Sequence, residues 1–213
     1  MRPFINPLMS LIVDSMLRFI GLRHFSLREI RDIAISVVVL CAIFSYPEFL
    51  ANPPFLIVSL LVVGVAFMGH ELSHKFMAIR EGFQAEYRMW PQGLGIAVLL
   101  AFATRGMFVF AAPGAVYFQS NWFFGGPVKP QLTKISMAGI TFNIALMWLS
   151  LLLYAASGFA LLAYMASING WLAIFNLLPF GTLDGDKLFK LEKRVWVVLF
   201  AAAASGFVLA QFA

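Results

Sequence analysis

From Pro54 to Ile79 the chain reads PFLIVSLLVVGVAFMGHELSHKFMAI, one apolar run whose second half holds two histidines, a glutamate and a lysine. A run this long and this apolar can satisfy its peptide groups inside a bilayer only as a helix. Four further apolar stretches, near 33–51, 132–156, 160–180 and 195–213, obey the same constraint. Over its 213 residues the chain is 62% hydrophobic and 12% charged, outside the range of soluble domains. The expected fold is a polytopic α-helical membrane protein with about five transmembrane helices, forming a single domain over 1–213 in the lipid bilayer. Leu8, Ile12, Met16, Phe19 and Ile20 make one apolar face that Asp14 and Arg18 interrupt. Residues 1–30 therefore read as a cytoplasmic or interfacial amphipathic segment, and the count rises to six if 4–22 crosses the bilayer.

The basic residues sort to one side of these spans. Arg2 to Arg31 precede the first, Lys75 to Lys134 lie between the ends of the second and third, and Lys187 to Arg194 lie between the fourth and fifth. The opposite loops, 46–53 and 157–159, contain no lysine or arginine. The positive-inside rule then places the N-terminus and both basic loops in the cytoplasm of a multi-pass cell-membrane protein. A net charge of +5 spread in this way shows no aromatic-interleaved basic stripe, so no nucleic-acid partner is expected. The single cysteine, Cys41, excludes an intramolecular disulfide and any cysteine-rich metal cluster. A metal would have to use histidine and carboxylate.

Between the second and third spans, GLGIAVLLAFA (93–103) and MFVFAAPGAVYF (107–118) are each too short to cross a bilayer, and Thr104, Arg105 and Gly106 separate them. Their length and the aromatic and β-branched content of the second run predict a membrane-associated β-hairpin or re-entrant element over 83–118. Non-helical backbone at that depth requires a protein-lined or water-filled cavity.

GHELSH (69–74) carries the chemistry. On a helix, His70 and His74 share a face and can present two imidazoles to one ion, with Glu71 beside them as the general base of an H-E-x-x-H zinc site. Along a helix running inward, His70 stands roughly 15 Å before Arg80, below the cytoplasmic surface. A third protein ligand is needed, and a fourth position must stay open for water. Asp184, Asp186 and Glu192 are the remaining candidates. Asp184 follows the fourth apolar run in NLLPFGTLDGDK (176–187), where Pro179, Gly181 and Gly185 are expected to break the helix and turn a carboxylate inward.

H-E-x-x-H in one span followed far downstream by N-x-x-P-x-x-x-x-D-G resembles the site-2 protease family of intramembrane zinc metalloproteases, in its compact, PDZ-free microbial form. Asn176, Pro179, Asp184 and Gly185 match the second motif at every spacing. The resemblance implies one zinc ion held by His70, His74 and Asp184, with Glu71 as catalytic base. It also implies Asn176 near the reacting carbonyl, where an amide can donate to a developing oxyanion. Asn143 in AGITFN (138–143) resembles the family's A-G-P-x-x-N pattern with Ile140 in place of proline, and takes a supporting role as an interhelical hydrogen-bonding residue. APGAVYF (112–118) looks like the family's membrane-embedded strand region, which makes 83–118 a substrate-binding element. The implied activity is hydrolysis of a peptide bond in or near a transmembrane segment of a single-span membrane protein, at a site toward the cytoplasm. A non-catalytic membrane protein that binds or transports metal is the alternative.

Overall fold

Proline and glycine decide where the apolar runs end. The computed structural model describes residues 24–119 and 128–213, so the amphipathic segment expected at 4–22 lies outside the described residues. The first helix, α1, spans Leu27–Ser45 and is opened by Ser26, whose hydroxyl accepts the Glu29 N–H at 3.1 Å. It stops before Pro47, and the one-turn α2 (Glu48–Ala51) follows. The expected span at 33–51 is thus displaced toward the N-terminus. Sequence hydropathy penalised Glu29 and Asp32, but both are buried in the fold. The helix α3 (Phe55–Arg80) matches the long apolar run and carries the histidines.

The 83–118 region holds paired strands, one of them overlapping the end of the 107–118 run and the other lying ahead of the 93–103 run. Strand β1 (Gln84–Met89) pairs antiparallel with β2 (Gly114–Gln119), Tyr87 standing opposite Val116. The run 93–103, expected as one half of a hairpin or of a re-entrant element, forms helix α4 (Pro91–Ala103). Pro91 is pre-set for a first helical turn, and Gly93, Ala97 and Ala101 recur every fourth residue to form one small buried face. Ala97 and Ala101 pack with Ile43 and Val109. A period near four outweighs the short length of the run. The Thr104–Gly106 turn ends this helix, with Arg105 at φ 52° and Gly106 at φ 78°.

Helix α5 (Lys129–Ser157) ends at Gly158 in the left-handed region, and α6 (Ala160–Asn176) ends three residues before Pro179. The short α7 (Asp184–Leu191) leads into α8 (Lys193–Ala210). Among the described residues three helices, α3, α5 and α8, are long and apolar enough to cross a membrane, while α4 and α6 are shorter apolar helices.

The two largest apolar clusters among the described residues hold most of the helices together. Ile33, Val37 and Leu40 of α1 meet Val62, Val63, Ala66 and Phe67 of α3, together with Ile168, Leu172 and Phe175 of α6. Ile140, Ile144 and Met147 of α5 meet Ala166 and Ala173 of α6 and Ala203 and Ala210 of α8. The sheet joins the first core through Tyr87, whose ring meets Phe67 edge-on at 5.8 Å and whose hydroxyl is 2.9 Å from that of Ser36. The outer surface of α8 stays apolar and exposed, at Val197, Val198, Val208 and Leu209, as a lipid-facing helix requires.

The link from α6 to α7 is tight because of Gly185. A Cβ there would stand 2.2 Å from the Leu177 carbonyl carbon, which is backbone and cannot rotate away. Gly185→Ala is expected to push α7 off the end of α6 and destabilise the protein by about 1–3 kcal/mol. Denaturant unfolding in detergent would measure it, and an unchanged midpoint would contradict this account of the link.

Candidate metal centre

Both histidines of α3 are oriented through Nδ1 by groups that leave no choice of tautomer. The Asn143 amide nitrogen faces two acceptors, the Ala66 carbonyl at 3.1 Å and the Asn169 Oδ1 at 2.9 Å. Its Oδ1 is therefore the atom facing His70, at 2.6 Å from Nδ1, and an amide oxygen can only accept. His74 Nδ1 lies 2.7 Å from the Ile135 carbonyl oxygen, again an acceptor. Each ring thus carries its proton on Nδ1 and a lone pair on Nε2.

The two Nε2 atoms point at each other across 3.0 Å. Asp184 adds Oδ2 at 2.7 Å from His74 Nε2 and 3.4 Å from His70 Nε2. Three ligand atoms thus converge on one point, an arrangement that a cation at its centre stabilises. Ligand atoms around one tetrahedral zinc ion stand about 3.3 Å apart, close to these separations. Gly139 of α5 leaves the space. A Cβ at that position would lie 2.4 Å from His74 Nε2 and 2.8 Å from the His70 ring. Two imidazoles and one carboxylate with a further side open is the ligand set of a catalytic zinc site, and the residues present fit it.

Asp184 comes to the histidines because α6 ends at Asn176 and the chain re-enters as α7, placing it in the first helical turn. Its Oδ1 accepts from Lys187 Nζ at 3.0 Å, leaving Oδ2 for the cluster. The other two candidates for third ligand lie elsewhere. Asp186 pairs with Lys190 at 2.7 Å and Glu192 with Lys129 at 2.9 Å.

A cavity of about 340 Å³ opens on the cluster. Glu71 and Asn176 line it with His70, His74 and Asp184, and Gly114, Val116 and Phe118 of β2 form part of its wall. Glu71 is 8% exposed, and among the described residues its carboxylate receives no hydrogen bond from the protein. The Asn176 amide spends one N–H on the Leu172 carbonyl of its own helix at 2.9 Å, leaving the second. Asn143 does not touch the cavity and acts through His70.

Asn169 escaped the sequence reading. It is fully buried, donates to the Met165 carbonyl at 2.8 Å and accepts from Asn143, which fixes how that amide faces His70. Its signal was an amide in the middle of an apolar helix, a position that demands a partner.

Among known proteins, the chain is 35% identical over 181 residues to a protein of Methanocaldococcus jannaschii described as a "putative zinc metalloprotease". The alignment spans 83% of this chain and 91% of that protein. No model of a known protein family matches the chain, and no solved structure matches it. With the donor set above, this relationship supports zinc as the cofactor.

Asn143→Ala is expected to strand the His70 Nδ1–H in an apolar interior and weaken zinc binding by about 10–100-fold. Competition with a chelator of known affinity reads this directly. Wild-type affinity in the variant would remove Asn143 from the support of the site.

Proposed function

The chain belongs to the family of the Methanocaldococcus jannaschii protein described as a "putative zinc metalloprotease", and from that premise we propose that it is an intramembrane endopeptidase of the site-2 protease type. The observation that carries the proposal is depth: His70, Glu71 and His74 lie on the second half of α3, a helix of 26 residues that is long and apolar enough to cross a membrane. The proposed topology has about five crossings, with α1 and α6 joining α3, α5 and α8. The lysine and arginine distribution supports a cytoplasmic N-terminus and a site toward the cytoplasm. The proposed substrate is a single-span membrane protein.

Bound at His70, His74 and Asp184, zinc supplies Lewis acidity, making water nucleophilic near neutral pH and polarising a carbonyl oxygen. Glu71 takes the proton of the attacking water and returns it to the leaving amine. It can do so because no group among the described residues holds its carboxylate. Asn176 offers its second N–H to the oxygen of the scissile carbonyl as charge develops there. Apolar side chains such as Ala111, Leu132 and Ile135 line the same cavity, and a low local dielectric strengthens each of these interactions.

A helical substrate leaves no carbonyl free for attack, so it must extend, and its backbone then needs partners. The outer edge of β2 can supply them. Tyr87 sends its N–H to Glu29 and the Trp90 N–H goes to the Pro113 carbonyl. With the register, this directs Ala115 and Tyr117 toward β1 and turns the N–H and C=O groups of Gly114, Val116 and Phe118 away from it. Those three residues line the metal cavity. Addition of the substrate as a strand on this edge sets its backbone beside Glu71 and the histidines.

Glu71→Gln is expected to retain zinc and lower cleavage of a co-reconstituted single-span substrate by about 10²–10⁴-fold. Asp184→Ala is expected to lose both zinc and cleavage. Metal analysis beside the cleavage assay tests both, and wild-type turnover by Glu71→Gln would remove Glu71 as the base. Val116→Pro deletes an outward N–H without touching the β1–β2 bonds. It is expected to raise KM by about tenfold with zinc retained, whereas unchanged kinetics would exclude strand addition at this position.

A further inference from the structure

Lys75 follows His74 on α3, and its side chain is 1% exposed, as is that of its partner Glu29 on α1. The Lys75 ammonium bonds to Glu29 Oε2, donates to the His24 carbonyl at 2.6 Å and sits 4.0 Å from the centre of the Phe25 ring. The other Glu29 oxygen accepts the Tyr87 N–H of β1 at 2.8 Å. A buried ion pair is weak evidence for stability, since apolar residues of similar volume often replace it without loss. What this pair does that apolar residues could not is bond to a strand.

The placement is specific. Tyr87 and Met89 direct their N–H groups to the edge of β1 opposite β2, where a third strand would pair. Glu29 occupies that edge at Tyr87, and Asp32, 2% exposed, makes a longer contact of 3.4 Å with the Met89 N–H. The two carboxylates are three residues apart on α1 and so share one face. The outer edge of β1 is thereby capped by a helix, one way in which sheet edges are closed to strand addition. The edge of β2 beside the metal cavity remains for a substrate.

Lys75 ties the cap to the metal helix. From His74 the connection runs through one peptide unit to Lys75, through its ammonium to Glu29, through the carboxylate to the Tyr87 N–H, and across the β1–β2 ladder to the Val116 edge. The bonds from Lys75 to Glu29 and from Glu29 to Tyr87 join buried groups, and with the strand ladder they set the distance from the open strand to the ligands. We propose that Glu29 and Lys75 are positioning residues, a clamp that holds the substrate-binding edge of β2 at a fixed register to His70, Glu71 and His74. The inference rests on the proteolytic reading for its consequence, and on the bond network alone for the clamp.

The experiment uses the full chain in lipid vesicles. Removing one partner leaves an unpaired buried charge and risks unfolding, so the informative variant is Glu29→Leu/Lys75→Met, which deletes both charges and leaves the Tyr87 N–H without its acceptor. Zinc content is expected to match wild type, while amide exchange over 84–89 speeds up by about tenfold or more. With a tagged single-span polypeptide in the same vesicles, KM is expected to rise about tenfold and to exceed any fall in kcat. Lys75→Arg, which keeps the charge and the donors, is expected to restore both readouts. Unchanged exchange in the double variant overturns the clamp whether or not the wild type cleaves. Faster exchange with unchanged KM, or a loss of zinc and kcat at constant KM, overturns the positioning role. If wild type cleaves nothing while Glu71→Gln also binds zinc, the proteolytic reading fails, and the exchange result still decides the clamp.

Discussion

Two imidazole nitrogens with their lone pairs facing each other across 3.0 Å would separate in a relaxed protein. They are kept together because each ring is pinned from behind, His70 by Asn143 and His74 by the Ile135 carbonyl of α5. That pinning requires α5 to approach α3 closely, which Gly139 allows. It also requires α6 to lie where Asn169 can hold Asn143. The helix packing and the metal site are therefore one construction, and the apolar cores place three ligand atoms where one cation can take them all.

An interior this apolar makes each polar group conspicuous, because none can be left without a partner. The buried amides form one chain from His70 through Asn143 and Asn169 to the backbone of α6. The buried charges form another, from Lys75 through Glu29 to the backbone of β1. Glu71 differs from both in accepting no hydrogen bond among the described residues. A carboxylate that receives none, beside a cluster that requires a cation, is suited to moving protons and poorly suited to holding a fold.

Much of this was legible along the chain, and the exceptions have physical causes. The i, i+4 histidines could be read because helical spacing alone puts them on one face. The NLLPFGTLDGDK segment showed a helix break next to carboxylates, and its spacing singled out Asp184 through a family resemblance. The 93–103 run left a hairpin and a re-entrant element both open, because its short length hid the four-residue recurrence of Gly93, Ala97 and Ala101 that makes it a helix. Strand β1 was missed because QAEYRM is a polar, charged segment whose acidic and basic residues are paired, Glu86 with Arg88 and with Ser26. The start of α1 was displaced because hydropathy counts Glu29 and Asp32 as exposed, when partners on α3 and β1 allow their burial.

By itself the sequence determined the membrane-protein composition, the helix that carries the histidines and the three residue types that face the ion. Those follow from hydrophobicity and helical periodicity, which act over a few turns of local chain. Only the tertiary structure decided which tautomer each histidine holds and which edge of the sheet stays open. Each of those depends on groups 26 to 77 positions apart meeting at hydrogen-bonding distance, and a linear pattern carries no record of distance across a fold.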